Sequence, residues 1–261
     1  MPQSASVPRI LIACLALVLG ACQAGVSGPS SSPVPTATSV ATTEPTPTPR
    51  PLTLPRPTDI PTDGSCEEGH VCLGLLAAGT AYTTSVFQPQ ITFSVPEAGW
   101  ENRVDAGGIF FLLPIAYPGD SIAFFRNPVA SGVGAAGIGT GVDDLAAWLA
   151  ANPLFNATPA QPVTIGGLPG LSMDIRVAAG AENQDPGCPV QVCVPFLRGK
   201  DETTQPQWNW DWGFAGLETQ RLYLLTSTEG VLAVFVDSYD GTSFDTLTAT
   251  ADTILATLHF G

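Results

Sequence analysis

Three patterns of apolar and polar positions divide the chain. Residues 10–19 form an unbroken apolar run. Residues 23 to about 63 hold Pro, Ser and Thr with almost nothing apolar between them. From there on, short segments alternate in polarity or are rich in β-branched and aromatic residues, and end in turn residues. Period-2 alternation marks half-buried strands. It predicts strands over 82–87, 90–96, 109–115, 121–126, 162–165, 171–177, 221–226 and 231–238.

Helical periodicity occurs twice. Thr140 stands three residues before Asp143, like a capping box. Leu145, Trp148 and Leu149 then share one face, and Asn152-Pro153 stops the helix. Near the chain's end Ser243 is placed to cap a helix with Asp245 in its first turn. Phe244, Leu247, Ala251, Ile254, Leu255 and Leu258 recur at helical spacing. Runs of adjacent strands with few helices predict the α+β class, an antiparallel β-sheet with two packed helices. About 200 residues, 64–261, are enough for a single domain with its own core.

The apolar run at 10–19 is too short for a spanning helix, which needs about 20 residues, and has the length of a signal-peptide core. It ends in Leu19-Gly20-Ala21-Cys22, which resembles the lipobox of bacterial lipoproteins. That resemblance implies cleavage after residue 21 and lipidation of the Cys22 thiol. Two or more acyl chains would give a stable anchor. Residues 22–63 then read as the lipidated cysteine and a disordered spacer, because such a segment cannot repay its ordering entropy. In polyproline II, at about 3.1 Å per residue, it would reach roughly 100 Å. The expected location is the extracytoplasmic face of a membrane, held by the lipid.

Charge narrows the partners. The formal net charge is −14, and the folded part's basic residues are Arg103, Arg126, Arg176, Arg198, Lys200 and Arg221. Nucleic acid or an anionic lipid surface would demand clustered Lys and Arg, so both are disfavoured. Four cysteines, Cys66, Cys72, Cys188 and Cys193, read as two disulfides in an oxidising compartment. Local pairs are favoured among the three possible connectivities. Metal ligation by Cys66, His70 and Cys72 is the alternative, at wider spacing than familiar zinc sites use.

Two further stretches and the last helix together resemble the Mog1/PsbP-like domains. Phe93-Ser94-Val95-Pro96-Glu97-Ala98-Gly99-Trp100 is similar to their opening strand and turn. Ile165-Gly166-Gly167-Leu168-Pro169-Gly170 is similar to their Gly-Gly turn. The resemblance covers about 90–260. It implies a non-catalytic binding or assembly domain and carries over no catalytic residue.

Candidate chemistry is sparse. Trp208, Trp210 and Trp212, with Phe214, would form one row on a strand. Exposed, the row is a platform for sugar rings or other flat ligands; buried, it is core. Gly132, Gly134 and Gly137 spell a dinucleotide fingerprint, but the helix begins too late for pyrophosphate. No cofactor is expected. His70 and His259 are the only histidines, and Gly170-Leu171-Ser172-Met173-Asp174 fails the nucleophile-elbow pattern at its last position. Asp143-Asp144 serve a helix start, while Glu97, Glu101, Asp211 and Glu218 are carboxylates able to assemble only in space. Asp237-Ser238-Tyr239-Asp240-Gly241 reads as a turn between strand and helix rather than a calcium loop.

The sequence thus predicts a lipid-anchored, extracytoplasmic domain that binds a ligand or partner, such as a carbohydrate, a small apolar molecule or an envelope protein, without catalysis. A carboxylate-dependent glycan hydrolase and a structural envelope protein are the alternatives.

Overall fold

The computed structural model describes residues 73–184, 192–199 and 211–261. The apolar run 10–19, Cys22 and the Pro/Ser/Thr-rich segment 23–63 lie outside them, as do Cys66, Cys72, Cys188, Trp208 and Trp210. The elements in chain order are β1 (Gly74–Leu76), β2 (Ala81–Thr83), β3 (Ile91–Ser94), β4 (Trp100–Ala106), β5 (Ile109–Pro114), β6 (Ser121–Arg126) and β7 (Val129–Ala130). Next come α1 (Val142–Ala151), β8 (Phe155–Ala157), β9 (Gln161–Ile165), β10 (Leu168–Val177), β11 (Cys193–Arg198), β12 (Asp211–Ala215), β13 (Thr219–Ser227), β14 (Gly230–Ser238), α2 (Phe244–Leu255) and β15 (His259–Phe260).

The main sheet runs β1-β4-β5-β6-β14-β13-β10-β8, with β9 also paired to β10. Its pairings are antiparallel. The α+β expectation of an antiparallel sheet with two helices holds at this level. Both faces are covered, which explains why the central strands read as apolar runs rather than clean alternations. One set of alternate positions, Ile109, Phe111, Ala123, Phe125, Leu222, Leu224, Ala233 and Phe235, enters one cluster with Leu145, Trp148 and Leu149 of α1. The intervening positions, Phe110, Leu112, Ile122, Phe124, Tyr223, Leu225, Val234 and Val236, enter a second cluster with Leu247, Ala251, Ile254 and Leu255 of α2. A small sheet β12-β11-β7 covers the first face and another, β15-β3-β2, the second.

Local chemistry fixes several joints. The β9–β10 hairpin turns on Gly166 and Gly167, both at positive φ (56° and 85°), as a two-residue type I′ turn requires. Arg221 of β13 clamps Asp174 of β10 with Nε and Nη2 at 2.7 and 3.1 Å, and its guanidinium lies over the Phe244 ring of α2. The Tyr223 hydroxyl donates to Asp252 of α2 at 3.0 Å.

The expected capping box does not form. Gly141 is the N-cap of α1 and makes no side-chain cap bond, while Asp143 and Asp144 occupy the first turn as read. Ser243 does cap α2 in position but not in bonding. Its hydroxyl is taken by Asp120 and Ser238 instead.

β4 is the strand that polarity concealed. Asn102 and Asp105 are fully buried within it. Asn102 accepts from Leu73 N–H and donates to the carbonyls of Val104 and Phe111, where β4 bulges against β5. Asp105 accepts the backbone N–H groups of Ser85, Val86 and Phe87.

Candidate functional site

One end of the main sheet gathers the features that packing alone does not explain. In register, Asp237 of β14 stands opposite Gln220 of β13 and Ser121 of β6. By strand alternation these three face the same side as Phe235, Leu222 and Ala123. The apolar cluster on that face therefore ends in a polar row. Glu218, two residues before Gln220, extends the row, and Asp120 joins it from the β5–β6 connection. Asp120, Glu218 and Asp237 are 4%, 7% and 6% exposed.

Their bonding is local and incomplete. Trp212 donates its indole N–H to Gln220 Oε1 at 3.1 Å. Gln220 Nε2 reaches the Gly213 carbonyl at 3.4 Å and Glu218 Oε2 at 3.5 Å. The same Glu218 oxygen accepts the Ala215 N–H at 2.8 Å. Asp120 accepts the Tyr239 N–H at 3.0 Å and the Ser243 hydroxyl, which also contacts the Ser238 hydroxyl at 2.7 Å. Asp237 Oδ1 is buried with no hydrogen-bond partner.

Burial without a cation moves all three acids upward. Glu218 rises from 4.5 to about 7, chiefly by loss of solvent, against the bonds from Ala215 and Gln220. Asp237 is held well above its ordinary range by burial, then by the charges of Glu218 and Asp120, against a bond from the Gln220 side chain. Asp120 is raised by burial, opposed by its bonds from Ser243 and Tyr239. Exposed Asp240 moves down, because the Thr242 hydroxyl and N–H donate to it.

Beside the acids lies a mostly apolar hollow of about 530 Å³, walled by Val177–Ala181, Val192, Ala215–Leu217 and Tyr239, with Asp240, whose carboxylate is engaged by Thr242, as its one charged member. Leu217 at its rim is 80% exposed, and Tyr239 is half exposed. Tyr239 rests on Gly119 (φ 99°), where a Cβ would come within 2.9 Å of the ring. Small walls, an exposed leucine and a tyrosine suit an uncharged, partly apolar guest.

The sequence-predicted residues distribute as follows. Trp212 is half-buried, packed on Phe125, Phe235 and Phe111 at centroid distances of 5.1, 5.2 and 5.7 Å, and Phe214 is buried beside it in sequence. That is the packing of a core side chain; Trp208 and Trp210 lie outside the described residues. Cys193 is disulfide-bonded, and its partner also lies outside them, since no other cysteine is among the described residues. His70 is outside as well. His259 sits exposed on β15, at a separate hollow with Tyr223 and Asp252. Gly132, Gly134 and Gly137 adopt positive φ in the loop before α1, and Val142 begins the helix beyond them.

Of the candidate carboxylates, Glu97, Glu101 and Glu218 do not converge, and the Asp211 side chain lies outside the described part. Glu101 pairs with Arg103 at 2.7 Å on β4. Four strand spacings, roughly 19 Å, separate β4 from β13. Glu97 lies in another hollow, against the outer side of α2. Glu218 instead meets Asp237, read from sequence only as the start of a turn, and Asp120, which no motif marked. Residues 239–241 do form the β14–α2 turn. Among the described residues, no three His, Cys, Asp or Glu side chains are grouped to hold a metal. Among them too, no helix is long and apolar enough to cross a membrane.

Together these features define an α+β domain with an apolar hollow built over buried acids. No protein-family model and no curated protein matches the chain.

Proposed function

We propose that the chain is a lipid-anchored, extracytoplasmic lipoprotein whose folded domain binds a small, uncharged, partly apolar ligand or a matching side chain of a partner, without catalysis. The anchor rests on Leu19-Gly20-Ala21-Cys22 following the apolar run. The binding reading rests on one observation, the small-residue hollow rimmed by exposed Leu217 and Tyr239.

The anchor makes a direct prediction. Cells fed a clickable fatty acid incorporate it into the wild-type chain, and Cys22→Ser abolishes the label and releases the protein from the membrane fraction. Label retained by Cys22→Ser places the lipid elsewhere or removes the anchor from the account.

Binding is read with the neutral apolar dye Nile red. The full chain gives saturable fluorescence enhancement, and Leu217→Asp weakens it about tenfold or more by placing a charge at an apolar rim. Equal affinity in both proteins rules out the hollow as the binding site. Glu218, with its affinity for a proton near neutrality, favours glycan hydrolysis as a second reading, because a general acid needs that property. Turnover of a glycan by the wild type, lost in Glu218→Gln, would replace the binding reading with that one.

A further inference from the structure

Two walls of the hollow hang from the same buried acids. The Ala215–Leu217 wall is fastened by the Ala215 N–H to Glu218. The Tyr239 wall is fastened by its N–H to Asp120, which also holds Ser243 at the head of α2. Asp237 stands in the polar row with both, pressed by the charges of Glu218 and Asp120, with one oxygen unpartnered.

The groups facing this cluster can be taken element by element. The β12–β13 turn and β13 bring Glu218 and the neutral Gln220; the β5–β6 connection brings Asp120; the β14–α2 turn brings Tyr239, Asp240 and Ser243. β12 brings the Trp212 indole N–H through Gln220. Every charge acting on Asp237 is negative. Among the described residues, the cations at this end of the sheet, Arg176 opposite Thr219 and Arg221 bound to Asp174, lie by strand alternation on the face away from Asp237 and Gln220. A second ionised carboxylate in so dry a place has no counter-charge to meet, and water can hydrate it only if a covering segment lifts.

We propose that Asp120, Glu218 and Asp237 form a proton-operated latch, which holds the Ala215–Leu217 and Tyr239 walls closed while the cluster keeps its protons and lets both lift when it loses them, because mutual repulsion and the need for water then outweigh the N–H bonds to the carboxylates. Closed walls make the hollow, so a guest is held on the acid side of neutrality and released on the alkaline side. The release rests on the binding reading above; the opening of the walls does not.

Hydrogen exchange followed by mass spectrometry on the full chain separates the two. Rates are corrected for the intrinsic pH dependence of exchange. Protection of the Ala215 and Tyr239 amides, relative to Leu224 in the middle of β13, falls about tenfold or more between about pH 5.5 and about pH 8.5. Asp237→Asn and Glu218→Gln each reduce that fall. Leu224 protection reports whether a variant is folded, and if one is not, the other carries the comparison. A constant ratio in the wild type, or an undiminished fall in the folded variant, overturns the latch. Walls that open on schedule while Nile red binds at no pH would retain the latch and discard the binding reading.

Discussion

Raising the pH from about 5 to about 8.5 is expected to destabilise the folded domain by about 3 kcal/mol. The sign follows from Glu218, whose carboxyl ionises near 4.5 when exposed and near about 7 in the fold. Between those values the native state keeps a proton that the unfolded chain has released. The stability this represents is full below the lower value, is lost as pH rises through the upper one, and is level beyond it. Each tenfold difference in proton affinity is worth about 1.4 kcal/mol, which sets the magnitude. The upward displacement of Asp237 acts in the same direction. Asp240, displaced downward, acts oppositely but only in more acid solution, outside this window. Urea midpoints across the range measure the effect. Asp237→Asn should flatten the curve and exceed the wild type in stability at the alkaline end. A midpoint that is constant or rises with pH would contradict the burial of these acids.

Asp105→Ala carries the second large expectation, a loss of about 3–5 kcal/mol. Its carboxylate collects the N–H groups of Ser85, Val86 and Phe87, and so fixes the segment between β2 and β3 to the buried face of β4. Removing it strands those donors, the Phe87 amide in a site with no exposure at all. Asp105→Asn retains one acceptor and should lose about half as much. A loss below about 1 kcal/mol in the alanine variant would mean that water replaces the carboxylate easily.

That same residue shows why part of the fold was not legible from sequence. Strands β5, β6 and β14 announce themselves as apolar runs, and α2 by its spacing, with Leu247, Ala251, Ile254, Leu255 and Leu258 all buried. No strand is expected from the pattern over 100–106, where Glu101-Asn102-Arg103 interrupts the apolar positions, yet Asn102 is inside. Its side chain satisfies the backbone of a bulge, and nothing within the strand itself reveals that need. The first helix was legible but its cap was not, because Asp144 lies against Gly139 and Gly141 where a Thr140 cap was expected.

The acid cluster was half legible. Glu218 stood among the candidate carboxylates, but with Glu97 and Glu101 as companions. Its actual neighbours come from the β13–β14–β6 register, across about a hundred residues of chain to Asp120. The available clue was that the apolar run 231–236 continues into Asp237 without a turn residue between. An acid extending a fully buried strand is a buried acid unless the strand ends there.

The joining of early and late segments has a kinetic side. Ser94 bonds Thr257 across 163 positions, β15 pairs with β3, and Asp120 holds Ser243 across 123. Contacts of such sequence separation are slow to form. α2 and β15 follow every strand of the main sheet in chain order, so until they dock only β2 and β3 cover its second face. Until then the apolar side chains meant for α2 stay open to solvent and to other chains, the condition in which partly folded proteins stick to one another.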